Sequence, residues 1–247
     1  MPLKRQRRAV SLDDISDLKS QKELIFNELL TECEISDTLS FIIRVKLQRF
    51  PLEVRREIVS RRDCAPLFAA CGHGHLETVK YLIKQCDADI EKRENGADPV
   101  LKNKHADDAL QTACFCNNKG AFEYLIEKYT YSKERIAEAY ELMGSTVLEE
   151  SGNIREALSH WRTALSLRNE DPNNYLVKKA IPQKASNPKV TEFTSEKELD
   201  IFALDMDAMK MQSLLVRERI LGPFHKNTIS SLRNLWESSA LRDHYAQ

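Results

Sequence analysis

The sequence predicts an all-α protein built as an α-solenoid, a stack of helix pairs that share one continuous core. Glycine (7 residues) and proline (8 residues) are scarce among the 247 residues, which favours helices over turns. Apolar residues recur at helical spacing along most of the chain. Two stretches also carry the pattern of helix pairs joined by a tight turn, which is typical of stacked repeats.

The charge balance excludes attraction to a polyanion as the basis of function. Lys and Arg number 37 and Asp and Glu number 38, so we expect neither nucleic acid nor a membrane as a partner. The sequence has no run of 18 apolar residues and no apolar signal core. It predicts a cytoplasmic protein. Nuclear import through the basic cluster Lys4–Arg8 is the alternative, although a solvated tail is the simpler interpretation.

The six cysteines are expected to be reduced thiols, mostly in helix cores. They are Cys33, Cys64, Cys71, Cys86, Cys114 and Cys116. A zinc site would have to combine some of these with His73 and His75, yet the paired C-x-x-C spacing is missing. We therefore expect no metal and no cofactor.

Residues 1–39 are predicted to form a basic tail and an N-terminal helix. Apolar residues recur among charges from Ser16 to Cys33, which indicates an amphipathic helix. A second helix is expected to begin near Ser40. A third is expected after Pro51, a residue that suits the first position of a helix.

Residues 40–130 are predicted to be an ankyrin-repeat region. In the block Asp63–Ile90 the repeat pattern T-P-L-H-x-A corresponds to Ala65–Ala70, and Gly74-His75 precedes a second helix. His75 is interpreted as structural. A weaker second copy begins at Leu110. The polar segment Glu91–Asp107 between the copies is expected to be an exposed loop, and such loops tend to lie on the binding face.

Residues 131–247 are predicted to form tetratricopeptide-like helix pairs. In the stretch Ser132–Arg168 two helices flank a Gly152-Asn153 turn. Small residues let these helices approach closely while Trp161 fills the space beside them; the small residues are Gly144, Ala157 and Ala164. The predicted fold class is thus an α-solenoid of ankyrin-like repeats followed by tetratricopeptide-like helix pairs.

The second half of this region is predicted to begin with a polar linker over residues 169–195. Ser195 and Glu198 form a capping-box signal for a long helix that runs to about Leu221. Its methionines are interpreted as core residues, with a peptide groove as the alternative. One more helix is expected over Thr228–Trp236.

The sequence contains no recognisable catalytic motif. It has no glycine-rich phosphate loop, no nucleophile elbow and no H-E-x-x-H. The string Gly72–His75 falls where ankyrin packing explains it. We expect a protein that is not an enzyme.

Three strings resemble the feminization (fem) family of ankyrin-repeat proteins. They are Glu141–Thr146, Ala157–Arg162 and Val216–His225, and they follow the ankyrin block in the family's order. The resemblance extends over Asp63–Thr228. It implies a substrate receptor of a cullin-RING ubiquitin ligase, an adaptor without catalytic residues, with elongin and cullin subunits as partners.

The resemblance also implies that the ankyrin repeats bind protein C-terminal segments that end in arginine. Such a pocket needs an acidic, aromatic-lined site for the guanidinium beside a site for the carboxylate. By family position, Asp98 and Phe115 are the candidate peptide-binding residues. The pocket aspartate of the family corresponds to Cys116 here.

A second interpretation comes from what the chain lacks relative to the family. It carries fewer ankyrin units, and it has no counterpart of the portion that docks elongin and the cullin. The alternative is therefore a truncated scaffold or competitor that binds partners without recruiting a ligase. We expect a monomer in either case.

Overall fold

The computed structural model describes residues 20, 23–24, 65–86, 107–171, 175–179 and 191–245. Within these residues every regular element is a helix, and the predicted all-α solenoid class is confirmed. The helices are α1 (Ala65–His73), α2 (Leu76–Cys86), α3 (Ala109–Phe115), α4 (Lys119–Lys128), α5 (Lys133–Ser151), α6 (Ile154–Arg168), α7 (Glu196–Phe202), α8 (Met206–Leu221) and α9 (Lys226–Tyr245).

The chain divides into two compact units, Met1–Ala109 and Leu110–Gln247. The predicted domains 1–39, 40–130 and 131–247 stay predictions. The helices predicted near Ser40 and after Pro51 lie outside the described residues.

In the first unit, α1 and α2 form the helix pair that the ankyrin pattern predicts. The turn between them places Gly74 at φ 75°, a conformation that residues with a side chain adopt at a steric cost. His75 donates its backbone N–H to the Ala70 carbonyl at 2.9 Å. The two helices bury one shared apolar face, which consists of Leu67, Ala70, Cys71, Val79 and Leu82.

In the second unit, α3 and α4 form the weaker second helix pair. Asn117 occupies the left-handed region at φ 52°, which asparagine tolerates better than most residues. The Asn118 N–H donates to the Ala113 carbonyl at 2.9 Å. This bond corresponds to the one between His75 and Ala70, so the turn geometry is kept although the residues differ.

The cysteines follow the expectation of buried thiols only in part. Cys71 and Cys114 are buried and free, as predicted. Cys116 is exposed, because it follows the last residue of α3 in the turn before α4. The other three cysteine side chains lie outside the described part of the chain.

Helices α5 and α6 form the predicted pair around the Gly152-Asn153 turn. The Ser132 hydroxyl caps α5 by accepting the Arg135 N–H at 3.2 Å. Gly152 ends α5 in the left-handed conformation, at φ 64°. Asn153 then caps α6 by accepting the Glu156 N–H.

The close approach of α5 and α6 depends on Gly144, as predicted. A Cβ at this position would lie 2.6 Å from Trp161 Cδ1 and 2.9 Å from the Ala157 carbonyl oxygen. Trp161 is fully buried, and its indole N–H donates to the Glu141 carbonyl at 3.0 Å. The indole is therefore fixed in place, and the backbone oxygen cannot move aside independently of α6.

The single long helix predicted from Ser195 to Leu221 is wrong. The capping box forms, with Ser195 and Glu198 bonded reciprocally, but α7 ends at Phe202. A turn follows, and the Asp205 carboxylate caps α8 by accepting the Asp207 N–H at 2.9 Å. The predicted helix over Thr228–Trp236 is confirmed and is longer, as α9.

The methionines of the long segment are not uniformly core residues. Met209 is fully buried, whereas Met206, in the first turn of α8, is 38% exposed. Met211 is half-buried, so the core interpretation holds in full for Met209 only.

We predict that Gly144→Ala lowers the free energy of unfolding by about 1–3 kcal/mol, because the added methyl overlaps Trp161 and the α6 backbone. Thermal and urea unfolding would measure this. Gly120→Ala is the matched control, since Gly120 is an exposed residue of α4. That change should be neutral or stabilising by up to about 1 kcal/mol. Equal effects at the two positions would contradict the close-packing argument.

Candidate interaction surface

The interior of the second unit contains a cluster of charged side chains from five separate segments. We call Glu141, Arg168, Lys178, Glu192 and Arg219 the charge cluster. Glu141 comes from α5, Arg168 from α6 and Arg219 from α8. Lys178 and Glu192 come from non-helical stretches on either side of residues 180–190. The cluster therefore connects three helices with two segments of the predicted linker.

Glu141 is the centre of the charge cluster. Its carboxylate is fully buried and accepts two hydrogen bonds from Arg168, at 2.8 and 2.9 Å. Arg219 donates a third at 2.5 Å, and Lys178 Nζ lies 3.6 Å away. A buried carboxylate is stable only when paired and hydrogen-bonded in this way.

Glu192 is the second carboxylate of the charge cluster. Arg219 donates to both of its oxygens, at 2.7 and 2.9 Å. Lys178 donates to the same carboxylate at 2.6 Å. Glu192 thus links α8 to the two non-helical segments.

The electrostatic environment shifts the pKa of three members of the cluster. Burial alone would raise the pKa of Glu141, but hydrogen bonds from Arg168 and the charges of Arg219 and Lys178 hold that pKa below its ordinary value. Burial lowers the pKa of Lys178, and its carboxylate partners offset this only in part. The pKa of Arg219 is raised, since its two carboxylates outweigh burial.

The residues beside Glu192 pack into the same interior. Phe193 is fully buried, and its ring lies 5.1 Å from that of Trp161. Lys178 Nζ lies 3.6 Å from the centre of the Phe193 ring, a cation–π contact. The Gln212 amide of α8 accepts the Phe193 N–H at 2.8 Å and donates to the Thr191 carbonyl at 3.1 Å. Residues 191–193 are thereby bound to α8.

Of the two candidate peptide-binding residues, Asp98 lies outside the described residues. The predicted loop Glu91–Asp107 lies there too, apart from Asp107, which is buried and not exposed as predicted. Phe115, at the end of α3, is half-buried, with its ring 5.4 Å from that of His225. Phe115 therefore contacts His225, the last residue of the Val216–His225 string.

Three large apolar side chains are left exposed on α9. Ile229, Leu232 and Trp236 are 52%, 46% and 79% exposed. Their spacing of three and four residues places them on one stripe of the helix, which we call the α9 stripe. The adjacent face of α9, towards α5 and α8, carries Thr228 and Ser231, which are buried.

Apolar residues therefore lie on both sides of α9. The side towards α5 and α8 carries the half-buried Leu235 beside Thr228 and Ser231, while the α9 stripe faces outward. Contiguous exposed apolar residues of this kind mark protein contacts. The α9 stripe is therefore the candidate interaction surface of the described chain.

Two kinds of site are not found among the residues that the structure describes. No group of three His, Cys, Asp or Glu side chains there could hold a metal ion. None of the described helices is long and apolar enough to cross a membrane.

Comparison with known proteins agrees with the helix pairs. Residues 45–137 match the family model for ankyrin repeats (3 copies). The human protein fem-1 homolog A is 33% identical over 178 residues, which are 68% of this chain and 26% of that protein. The human protein fem-1 homolog C is 31% identical over 159 residues, 64% of this chain and 24% of that protein.

This chain belongs to the fem-1 family of ankyrin-repeat proteins. The bovine fem-1 homolog A shows the same extent of similarity, with 34% identity over 68% of this chain. The chain spans about a quarter of the length of the curated relatives it matches.

The family strings are largely structural in this fem-1 relative. Every residue of Glu141–Thr146 is buried, Trp161 lies in the core, and Arg219 binds Glu141 and Glu192. These strings identify the family because they specify how α5, α6 and α8 pack. We therefore expect the contact surface at residues outside these three strings.

Sequence reasoning did not find the charge cluster. Lys178 and Glu192 lie in the predicted linker, which was interpreted as a connection because it has no helical periodicity. One signal was available: Glu141 falls among the apolar and small residues of the α5 core face, where a carboxylate requires a cationic partner.

We predict that Glu141→Gln lowers the free energy of unfolding by about 3–5 kcal/mol, because it removes the carboxylate that pairs with the buried Arg168 and one of the carboxylates near Lys178 and Arg219. Urea denaturation at neutral pH would measure the change. Glu134→Gln is the control, since Glu134 pairs with Lys179 at the surface. That variant should stay within about 0.5 kcal/mol of the parent protein.

The effect of Glu141→Gln should depend on pH. The folded protein holds the pKa of Glu141 below its unfolded value, which is about 4.3. The carboxylate therefore contributes stability above that pH, and the contribution is lost as pH falls through the folded pKa. The difference between parent and variant should shrink below about pH 4. A difference that stays constant down to pH 3 would contradict an ionised Glu141.

Proposed function

We propose that this fem-1 relative is a substrate-recognition component of a cullin-RING ubiquitin ligase. Its ankyrin repeats and fem-1 relatives identify a protein-interaction adaptor. The ligase role is supported by the three family strings, which fold here as one packed interior. The adaptor would bind a target protein and present it for ubiquitylation, with elongin and cullin subunits as partners.

The observation that carries an adaptor role is the α9 stripe. Removing apolar surface from water is favourable by about 25 cal/mol per Å², before the entropic costs of association are subtracted. Trp236 is the most exposed residue of the stripe, and tryptophan is enriched among residues that dominate protein interfaces. A partner that covered the stripe would remove from water a helix face that the described chain leaves open.

The proposed targets are protein C-terminal segments that end in arginine, with Asp98 and Phe115 as contacts. An aromatic ring beside a carboxylate suits a guanidinium, since the ring attracts the cation and the carboxylate pairs with it. The His225 ring would support Phe115 from the protein side.

The second candidate function is a scaffold or competitor that binds partners without recruiting a ligase. The similarity covers about a quarter of the relatives' length, so it supports partner binding more directly than assembly of a whole ligase. The α9 stripe serves either function. The two differ in whether elongin and cullin join the complex.

We predict that the tagged chain, expressed in cells of its own organism, co-purifies elongin and cullin subunits in near-stoichiometric amounts. The double variant Ile229→Ser/Trp236→Ser should reduce recovery of a partner at least tenfold, because the apolar anchors are lost. Phe224→Ser is the matched control, since Phe224 is 90% exposed but precedes α9. Quantitative mass spectrometry would score all three.

Absence of elongin and cullin beside another enriched partner would overturn the ligase proposal and favour the scaffold. If every partner survives the double variant, the α9 stripe is not the contact surface. Circular dichroism should show the same helical content for all three proteins.

We further predict that Asp98→Ala and Phe115→Ala each weaken binding of arginine-ended peptides by tenfold or more. Fluorescence anisotropy with a labelled peptide, and with a version ending in glutamine, would measure this. Phe224→Ser is the control, since Phe224 is 90% exposed and is not one of the two proposed contacts, and its affinity should equal that of the parent. Unchanged affinity in either alanine variant removes that residue from the binding site.

A further inference from the structure

Helices α5 to α9 include two helix pairs, α5 with α6 and α8 with α9. The first helices of the two pairs also pack against each other, α5 against α8. Helices α6 and α9 therefore hold equivalent places in successive pairs. In a stack of helix pairs, no pair buries its apolar surface alone, and a neighbouring element completes it. What covers α6 therefore indicates what would cover α9.

A short helix, α7, covers part of α6. It packs against both α6 and α8. Its Leu199 is fully buried and its Phe202 is half-buried, while the exposed Asp200 accepts a hydrogen bond from the Arg162 guanidinium of α6 at 2.7 Å. The second helix of the first pair is thus completed by a further helix, which buries apolar side chains and leaves charged ones in water.

The second helix of the second pair keeps its apolar stripe exposed. Leu232 follows the buried Thr228 by four residues, and Trp236 follows Leu232 by four. Residues four apart lie on the same face of a helix, one above the other, so the α9 stripe directly adjoins the packed side of α9. The apolar surface of α9 therefore extends beyond the area that α8 covers.

The form of the α9 stripe selects a helix as its occupant. The backbone N–H and carbonyl groups along a helix are bonded within that helix, so α9 offers a partner only the side chains of the stripe. An extended segment gains its affinity from backbone pairing with a sheet edge, and α9 has no such edge. A helix packs instead by placing its own side chains into the grooves between side chains three and four residues apart.

We propose that the α9 stripe binds an amphipathic helix of a partner protein, in the way that α7 covers α6. This rests on the proposed adaptor function and specifies the form of the partner. The partner helix lies along Ile229, Leu232 and Trp236, and its own apolar residues recur at spacings of three and four. Trp236, near the middle of α9, supplies the largest apolar contact area of the three.

The probe is an acetylated and amidated alanine-rich peptide of about 15 residues, with three leucines at helical spacing (i, i+4 and i+7) among glutamates and lysines. One matched peptide has the same composition with the leucines at i, i+2 and i+4, the strand pattern. Another has a central proline, which breaks a helix. The fluorescence of Trp236 in the full chain measures binding, since the other tryptophan, Trp161, is already fully buried. The helical peptide should shift the emission to shorter wavelength and bind about tenfold more tightly than either matched peptide.

Leu232→Ser should weaken binding of the helical peptide about tenfold, because one apolar contact is lost. Ile201→Ser is the matched control, since Ile201 is 64% exposed but lies on α7, and this variant should keep the affinity of the parent. Trp236→Phe should remove the peptide-dependent shift in emission, which checks that the signal comes from the α9 stripe. Circular dichroism should show the same helical content in all these proteins, because exposed positions accept such changes.

Equal binding of the helical and strand-pattern peptides, or absence of any shift in emission, would overturn the proposal. An equal loss of affinity in Ile201→Ser and Leu232→Ser would overturn it as well. Self-association of the chain that Trp236→Ser abolishes, measured by sedimentation, would assign the α9 stripe to a second copy instead.

The adaptor function is tested separately by co-purification. Partners that are lost in Ile229→Ser/Trp236→Ser, from a parent that does not bind the helical peptide, would keep the adaptor and remove the helix as its partner. Binding of the helical peptide by a chain that co-purifies no partner would keep the helix site and remove the proposed function.

Discussion

The buried carboxylate of Glu141 is the constraint on which the second unit depends. A carboxylate in the interior of α5 is tolerated only if cations and hydrogen bonds replace its water. Arg168 and Arg219 supply them from α6 and α8, and this fixes the rotation of both helices about α5. Arg219 then needs Glu192, which brings a non-helical segment onto the same core. One buried charge thus determines the positions of α6, α8 and the segment that carries Glu192.

Gly144 imposes a steric constraint on the same interface. It lets Trp161 approach α5 so closely that the indole N–H reaches the Glu141 carbonyl. The main chain of Glu141 therefore binds α6 through Trp161, while its side chain binds α6 through Arg168. Two separate contacts of one residue, Glu141, therefore restrict the angle between α5 and α6. In this fem-1 relative, the residues that carry the family similarity are those that pack the interior. What the surface binds depends on other residues.

The sequence predicted features that depend on a local signal. The Ser195 capping box, the Gly152 turn and the Gly144–Trp161 contact were all predicted, because each has a distinctive residue at a fixed spacing. The break between α7 and α8 was missed, since apolar periodicity continues through Ala203 and Leu204 and Asp205 alone marks the new cap. The packing of Phe193 and Lys178 was missed for another reason: a non-helical segment has no period to read, and its partners are distant in sequence.

The charges of the cluster are paired within the second unit, whereas part of its apolar surface stays exposed. Arg219 pairs with Glu138 as well as with Glu141 and Glu192. At α9, by contrast, the side chains of Ile229, Leu232 and Trp236 remain exposed. Exposed apolar area does not help the isolated chain to fold, since it costs free energy. A partner that buried the α9 stripe would relieve that cost, which favours an adaptor whose contact surface is apolar rather than charged.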